Sequence, residues 1–181
     1  MRSGIMLTAV AVMAVITMGG IAKAQNGENT KRLDSQESTF LRDAAQEDIF
    51  MIRLGQYAAD HAAMDDVKKL GRQMATDHQA DLKQIEQLAK DHGVDLTGHD
   101  ADLTVEQKTL YGQLTAKAGK DFDKDYTKLV VAHHNRMIGE YERERDHATD
   151  VAIREYAGKQ VDGLQNHLKM SKDAEKLAWG T

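Results

Sequence analysis

The 181-residue chain has no cysteine and no proline, and aromatic residues make up only 5% of it. Without cysteine it has no disulfides, no thiolate metal ligands and no cysteine nucleophile, so packing alone must hold the fold together. The absence of proline and the scarcity of aromatic side chains, together with abundant Ala, Leu, Gln, Glu, Lys and Asp, favour helices over strands. The sequence therefore predicts an all-α protein.

Long apolar runs are also missing, except at the N-terminus. Residues 1–24 contain Arg2, an apolar run from Ile5 to Met18 and the small-x-small end Ala22-Lys23-Ala24, which is the pattern of a secretory signal peptide. The run is shorter than the roughly 20 residues that span a bilayer, and no cysteine follows it for lipidation. We expect cleavage after Ala24, a periplasmic location, and no transmembrane span in the mature chain.

Acidic residues outnumber basic ones in the remainder. Once Arg2 and Lys23 are removed, 22 Lys and Arg stand against 29 Asp and Glu, a net charge of about −7 with neutral histidine. Nucleic acid is therefore not an expected partner, because its binding relies on basic patches that displace counterions. Residues 25–37 are polar and aperiodic, and they predict a flexible tail ahead of a single domain over residues 38–178.

Apolar residues recur in steps of three and four over four long stretches. They predict helices over about 39–61, 65–92, 121–147 and 150–178, with a short extra helix over 104–118. Short turns join the first two and the last two long helices, while about 30 residues separate the pairs. This order predicts an antiparallel, ferritin-like four-helix bundle with one long crossover that contains the short helix.

Histidines interrupt the apolar stripes of three helices. The inward positions include His78 in the second long helix and His133 in the third, and His167 stands at the edge of the stripe in the fourth. Counted from the turns, His78 lies level with Glu47, Asp48 and Met51 of the first helix, and His133 and His167 differ in height by about 6 Å. One metal ion or one hydrogen-bond network could reach all three. His134 is expected to face away from His133, toward solvent.

Two interpretations of these histidines stay open. Each can be a core residue that is hydrogen-bonded to a carboxylate such as Asp77, Asp81 or Glu140, because buried polar groups usually find partners. Alternatively, the site binds a transition metal (copper, zinc or iron) or haem. The candidate ligands are then His78, His133, His167 and Asp77, with Met51, Met74 and Met137 as soft ligands, although methionine at helical spacing is also an ordinary core residue. No phosphate loop, nucleophile elbow or HExxH motif indicates an enzyme.

Four segments of the chain resemble a known family. They are "FLRDAAQEDIFMIRLGQYAADHA", "VKKLGRQMATDHQADLKQIEQLAKDHGVDL", "LTAKAGKDFDKDYTKLVVAHHNRMIGEYE" and "IREYAGKQVDGLQNHLKMSKDA". Together they span about residues 39–177 and are similar to the bacterial family numbered 4142 among domains of unknown function, often labelled predicted outer-membrane or exported proteins. The most specific pieces are "MATDH", "GKDFDKDY", Ala132-His133 and the "NHL" at His167.

The resemblance implies a ferritin-like four-helix bundle that is exported to the periplasm and has no established activity. His78, His133, His167 and Asp77 fall on the family's motif positions. Two departures concern the chemistry: this chain has Met51 where many members have a glutamate, and Val161 where they have a proline. With no Glu-x-x-His on the second or fourth long helix, a ferritin-type di-iron centre is not expected.

Two functions follow as expectations. The first is a structural or stress-related protein of the cell envelope, with a protein partner there, whose histidines form a buried hydrogen-bond network. The second is transition-metal or haem binding by His78, His133 and His167 in the core.

Overall fold

A computed structural model describes residues 32–98 and 102–180, and within these two ranges the protein is all-α, with no strand. Its five helices are α1 (Ser35–His61), α2 (Asp65–His92), α3 (Val105–Thr115), α4 (Gly119–His147) and α5 (Val151–Trp179). None of these five combines the length and apolar character that would let it cross a membrane. The expected signal peptide, residues 1–24, lies outside the described residues.

Helix α1 begins earlier than the apolar pattern predicts. The Asp34 carboxylate accepts a hydrogen bond from the backbone N–H of Glu37 at 2.8 Å, and the Glu37 carboxylate accepts one from the backbone N–H of Asp34 at 3.0 Å. This reciprocal capping box satisfies two backbone donors that a helix start otherwise leaves without partners. Residues 35–37 therefore belong to the helix, although the sequence pattern placed them in a tail.

The long helices pack as two hairpins. Helix α1 runs antiparallel to α2 and α4 runs antiparallel to α5, and the hairpins meet through α2 with α5 and α1 with α4. Helix α3, which lies in the long connection between the hairpins, packs against α4 and α1. A Cβ atom built on Gly71 would stand 2.6 Å from the carbonyl oxygen of Gly55, so α1 and α2 approach closely where these two glycines meet.

Each long helix contributes a buried apolar stripe to one core. The largest side chains that are fully buried there include Phe50, Leu41, Met74, Ile85, Phe122, Tyr126, Tyr141 and Ile153. Near the end of α5 the inward positions are Ala174 and Ala178. Leu177, which precedes Ala178, is 54% exposed because the stripe passes one residue to its side.

Each hairpin's turn is closed by a carboxylate of the other hairpin. Glu37 on α1 accepts hydrogen bonds from the backbone N–H groups of Thr149 and Asp150, at 2.7 and 2.8 Å. Asp123 on α4 accepts them from the backbone N–H groups of Ala63 and Met64, at 3.0 and 2.8 Å. The acceptors Glu37 and Asp123 are 86 positions apart in the sequence. The same distance separates the donors Ala63 and Thr149, and the donors Met64 and Asp150. The two hairpins are thus a structural repeat.

Candidate functional site

His78 is held from α1 by a buried carboxylate. Its side chain is 2% exposed, and its Nδ1 lies 2.7 Å from Oδ1 of Asp48, which is fully buried. When Asp48 is ionised it can only accept, so the His78 proton then lies on Nδ1 and the Nε2 lone pair is free. The expected level of His78 and Asp48 along the two helices is confirmed by this contact. Nε2 of His78 is buried and has no hydrogen-bond partner.

His134 takes the inward position on α4 that the sequence pattern gave to its neighbour. It is 0% exposed, so the expectation that it faces solvent is wrong. The buried row of α4 runs through Tyr126, Val130, His134, Met137 and Tyr141 in steps of four and three, and His134 stands at its centre. Its Nδ1 donates to the carbonyl oxygen of Val130 at 2.9 Å, because a carbonyl can only accept. Its Nε2 is buried without a partner.

His167 completes the group from α5. Its Nε2 lies 2.8 Å from Oδ2 of Asp77 on α2, and its Nδ1 is buried without a partner. Partial burial acts to raise the pKa of Asp77, but the hydrogen bonds from Gln73 and His167 outweigh that effect and leave the pKa lowered. Asp77 is therefore an ionised acceptor at neutral pH, and it keeps the proton of His167 on Nε2.

The three imidazoles converge on one point. His78, His134 and His167 each place one ring nitrogen so that all three nitrogens lie within 4.8 Å of one another. The ring centroids of the three pairs are 5.3 to 5.5 Å apart. On each ring one nitrogen is committed to a hydrogen bond and the other has no partner. Three helices thus bring three ring nitrogens without hydrogen-bond partners into one buried space.

Burial keeps these rings uncharged. It lowers the pKa of His78 to about 4 and the pKa of His134 well below its usual range, and neighbouring imidazoles lower the latter further. Burial and the nearby His78 also lower the pKa of His167. The neutral imidazole is the form that binds a metal ion, so all three rings are ready to do so at neutral pH.

His133 lies outside this group. Its Nε2 is 2.9 Å from Oε2 of Glu47, although the ring is out of line for a regular hydrogen bond, and Arg136 donates to its Nδ1 at 3.3 Å. Burial acts to raise the pKa of Glu47, but His133 and Arg136 outweigh it and lower the pKa. Phe50 packs edge-on against the His133 ring. Both ring nitrogens of His133 thus face charged neighbours at the α1–α4 seam.

The soft-ligand candidates Met51, Met74 and Met137 all lie in the core, each 1% exposed or less. Their burial fits the ordinary role of methionine in filling gaps between helices.

A second buried carboxylate stands one helical turn from His78. Asp81 is 8% exposed and accepts a hydrogen bond from the Tyr156 hydroxyl at 2.9 Å. Burial, followed by the nearby charge of Asp48, raises the pKa of Asp81 to about 7. Burial also raises the pKa of Asp48 well above its usual range. Without a nearby cation, both carboxylates are therefore costly to ionise in the folded protein.

Asp81 predicts a pH dependence of stability. Because its pKa of about 7 in the folded protein exceeds the usual value of 3.8, the folded protein holds the Asp81 proton more tightly than the unfolded chain does. This contribution to stability declines as the pH rises from 3.8 to about 7. Asp81→Asn keeps an oxygen acceptor for Tyr156 and cannot ionise. We expect the advantage of this variant over wild type, measured by urea unfolding of metal-free protein, to grow by about 3 kcal/mol from pH 5 to pH 8.

The control for this measurement is Asp162→Asn, at an exposed position of α5. It should show no comparable growth with pH. An Asp81→Asn advantage that stays constant or shrinks between pH 5 and pH 8 would contradict the raised pKa.

Comparison with known proteins gives one match. The family model described as "Domain of unknown function (DUF4142)" matches residues 22–174, which confirms the resemblance carried by the four sequence segments. No curated protein and no solved structure matches the chain significantly. The family description assigns no activity, so the chemistry of the site has to indicate the function.

Proposed function

For this chain, which belongs to the DUF4142 family of domains of unknown function, we propose that it binds one transition-metal ion through His78, His134 and His167. The observation that carries the proposal is the convergence within 4.8 Å of three buried imidazoles, each with one nitrogen that has no hydrogen-bond partner. A buried polar atom without a partner costs about 1–3 kcal/mol. Three of them at one point are costly in an empty protein, and one cation would satisfy all three.

The surroundings of the histidines support a metal site. Ligating histidines usually donate their second N–H to a carboxylate or a backbone carbonyl, which fixes the tautomer and the ring orientation. Here Asp48, the carbonyl of Val130 and Asp77 provide those three acceptors. In a purely structural hydrogen-bond network, the second ring nitrogen of each histidine would pair with another histidine or with a further protein group. The second nitrogens of His78, His134 and His167 have no such partners.

The spacing fits a single ion. Three nitrogens bound at about 2.1 Å in tetrahedral geometry stand about 3.4 Å apart. Nitrogens within 4.8 Å of one another therefore need to approach by at most about 1.4 Å, a change that small ring rotations supply. Three protein ligands leave a fourth position for water or another small ligand. Imidazole donors suit zinc, copper, cobalt, nickel and iron(II).

Haem is disfavoured by the same geometry. A cofactor of that size needs a cleft of several hundred Å³. Four grooves on the described part of the protein have volumes of about 300 to 640 Å³, and His78, His134 and His167 line none of these four. The three rings face each other inside packed helices, where a bare ion fits and a macrocycle does not.

The charges nearby match a divalent cation. The three ligands are neutral, while Asp48 contacts His78 directly and Asp81 lies one turn away on the same helix. A dication in the site would favour ionisation of both carboxylates, which burial alone opposes. Asp48 and Asp81 are costly to ionise in the empty protein. In their ionised form beside a bound dication, they would balance its charge.

The fold and location belong to the same proposal. We infer a ferritin-like four-helix bundle with one long crossover, because α1, α2, α5 and α4 each contact two of the others and α3 lies in the connection. The signal-peptide pattern of residues 1–24 supports export to the periplasm. The site differs from a ferritin di-iron centre because its ligands are three imidazoles rather than a set of glutamates.

Titration of the mature protein, residues 25–181 without a histidine tag, tests the metal site. After demetallation, Co²⁺ and Zn²⁺ are each expected to bind at one equivalent with a Kd below about 1 µM. Bound Co²⁺ should show visible d–d bands of a four-coordinate site with nitrogen ligands. Calorimetry gives the stoichiometry, and absorption spectra report the ligand field.

The matched control is His133→Ala, which removes a buried histidine of α4 that lies outside the group. It should keep the stoichiometry and the Co²⁺ spectrum of wild type. A wild-type protein that binds neither ion nor copper stoichiometrically would overturn the proposal. A Co²⁺ spectrum that vanishes in His133→Ala while the helical content stays intact would move the site to the α1–α4 seam.

A further inference from the structure

The proposed metal site is closed to solvent on most sides. His78 is 2% exposed and His134 is 0% exposed, and the acceptors behind them, Asp48 and Val130, are fully buried. His167 differs, because its acceptor Asp77 reaches the surface with 38% of its side chain exposed. Among the three ligands and their hydrogen-bond acceptors, the pair His167 and Asp77 therefore makes the contact with solvent.

The α1–α4 side is blocked. A groove of about 640 Å³ between α1, α3 and α4 reaches inward as far as His133 and Phe50. These two rings pack edge-on, and the His133 ring centroid is 6.4 Å from that of His134. An ion in this groove would have to displace a buried aromatic ring to reach the ligands.

The α2–α5 side can open with one side-chain movement. His167 is tethered there by a single hydrogen bond to Asp77 at 2.8 Å, and Asp77 is itself held by Gln73 at 2.7 Å. Rotation of the His167 ring has to break only this partly buried hydrogen bond. An ionised carboxylate at this opening attracts a cation and then holds the imidazole in place.

We propose that metal ions enter and leave between α2 and α5, with His167 as the mobile ligand and Asp77 as the latch that meets the ion and holds His167 in its ligating orientation. This inference rests on the proposed metal site. Asp77 is a positioning residue in this scheme: it steers the ion toward the opening and orients His167 toward the ion.

Stopped-flow mixing of the mature metal-free protein with Co²⁺ alone tests the route. Asp77→Asn keeps an oxygen acceptor for His167 but removes the charge. We expect its association rate to fall about tenfold at low ionic strength, and the difference from wild type to shrink as salt screens the field. The d–d spectrum of the loaded protein should stay unchanged. Asp77→Ala removes the latch as well, and transfer of Co²⁺ from this variant to EDTA should become faster.

Two controls make the result specific. Glu86→Gln removes a charge at another exposed position of α2, and its rates should match wild type at every ionic strength. His133→Ala opens the wall of the α1–α4 groove. If His133→Ala accelerates association while Asp77→Asn leaves it unchanged, ions use the groove and the proposed route is wrong. Failure of wild type to bind any ion would instead refute the metal site itself, before any variant is compared.

Discussion

Replacing His134 by leucine is expected to weaken metal binding strongly and at the same time to stabilise the metal-free protein. The substitution removes one of three ligands, which should weaken Co²⁺ and Zn²⁺ binding at least about a hundredfold. It also removes a fully buried nitrogen that has no partner. Leucine fills a similar volume without a polar atom, so the gain in unfolding free energy should be about 1–2 kcal/mol.

Urea unfolding in the presence of EDTA measures the stability, and Co²⁺ titration measures the binding. The matched control is His133→Leu, whose histidine contacts Glu47 and Arg136. It should bind metal as wild type does and gain no stability. If His134→Leu lost stability without metal and wild-type protein bound none, the histidines would belong to a structural network instead. If the histidines bind metal, His134→Leu loses metal affinity and gains stability. If they form a structural network, the same variant loses stability.

Replacing Gly71 by alanine is expected to destabilise the protein by about 3 kcal/mol, through overpacking of the α1–α2 crossing. The new Cβ would stand 2.6 Å from the carbonyl oxygen of Gly55 and 2.8 Å from the backbone nitrogen of Ala59. These are backbone atoms, so they cannot move aside as a flexible side chain would. The helices have to separate, and this cost exceeds the roughly 1 kcal/mol that alanine gains over glycine inside a helix.

Gly139→Ala provides the control on an exposed face of α4, where an added Cβ meets nothing within 4 Å. There the helix preference acts alone, and the variant should be more stable than wild type by up to about 1 kcal/mol. Thermal and urea unfolding of both variants give the comparison. Equal stability of Gly71→Ala and wild type would show that the crossing is looser than the structure has it.

The close crossing also bears on the proposed metal site. Asp48 on α1 reaches His78 on α2 at 2.7 Å, across the same interface that Gly55 and Gly71 bring together. A wider crossing would stretch this contact and release the His78 ring. Gly71→Ala should therefore weaken metal binding even where the protein is still folded.

Helix positions could be predicted from the sequence because apolar periodicity and turn lengths carry that information. The errors lie where a side chain's own hydrogen bonds decide the outcome. The start of α1 depends on the reciprocal bonds of Asp34 and Glu37, which no apolar pattern records. The all-α fold and its short turns were thus predictable from the sequence, and the start of α1 was not.

The choice between His133 and His134 shows a similar limit. The two are neighbours, and the stripe counted through residues 122, 126, 129, 133 and 137 selects the first. From 122 to 137 the buried row also takes three steps of four and one of three, but its step of three follows 134 rather than 126, so the 3.6-residue repeat alone does not choose between the two neighbours. The structure follows 126, 130, 134, 137 and 141 instead. His78 and His167 were predictable because their stripes contain no such ambiguous neighbour.

The repeat of the two hairpins leaves a signal in the sequence that periodicity alone does not find. Asp60-His61-Ala62 and Asp146-His147-Ala148 are identical tripeptides at the two turns, 86 positions apart. The same step relates Asp48 to His134 and Asp81 to His167. At these two pairs the polar positions of the core coincide in the two halves, with an acid in the first half and an imidazole in the second, whereas the position that corresponds to His78 is Leu164.

The exchange of turn-closing carboxylates has a consequence for how the protein unfolds. If the α4–α5 hairpin separated, Asp123 would leave the N–H groups of Ala63 and Met64, and Glu37 would leave those of Thr149 and Asp150. The turn of each hairpin would therefore lose these hydrogen bonds when the two hairpins separated. We therefore expect that neither half folds on its own and that melting is a single cooperative transition in which no intermediate with one intact hairpin accumulates.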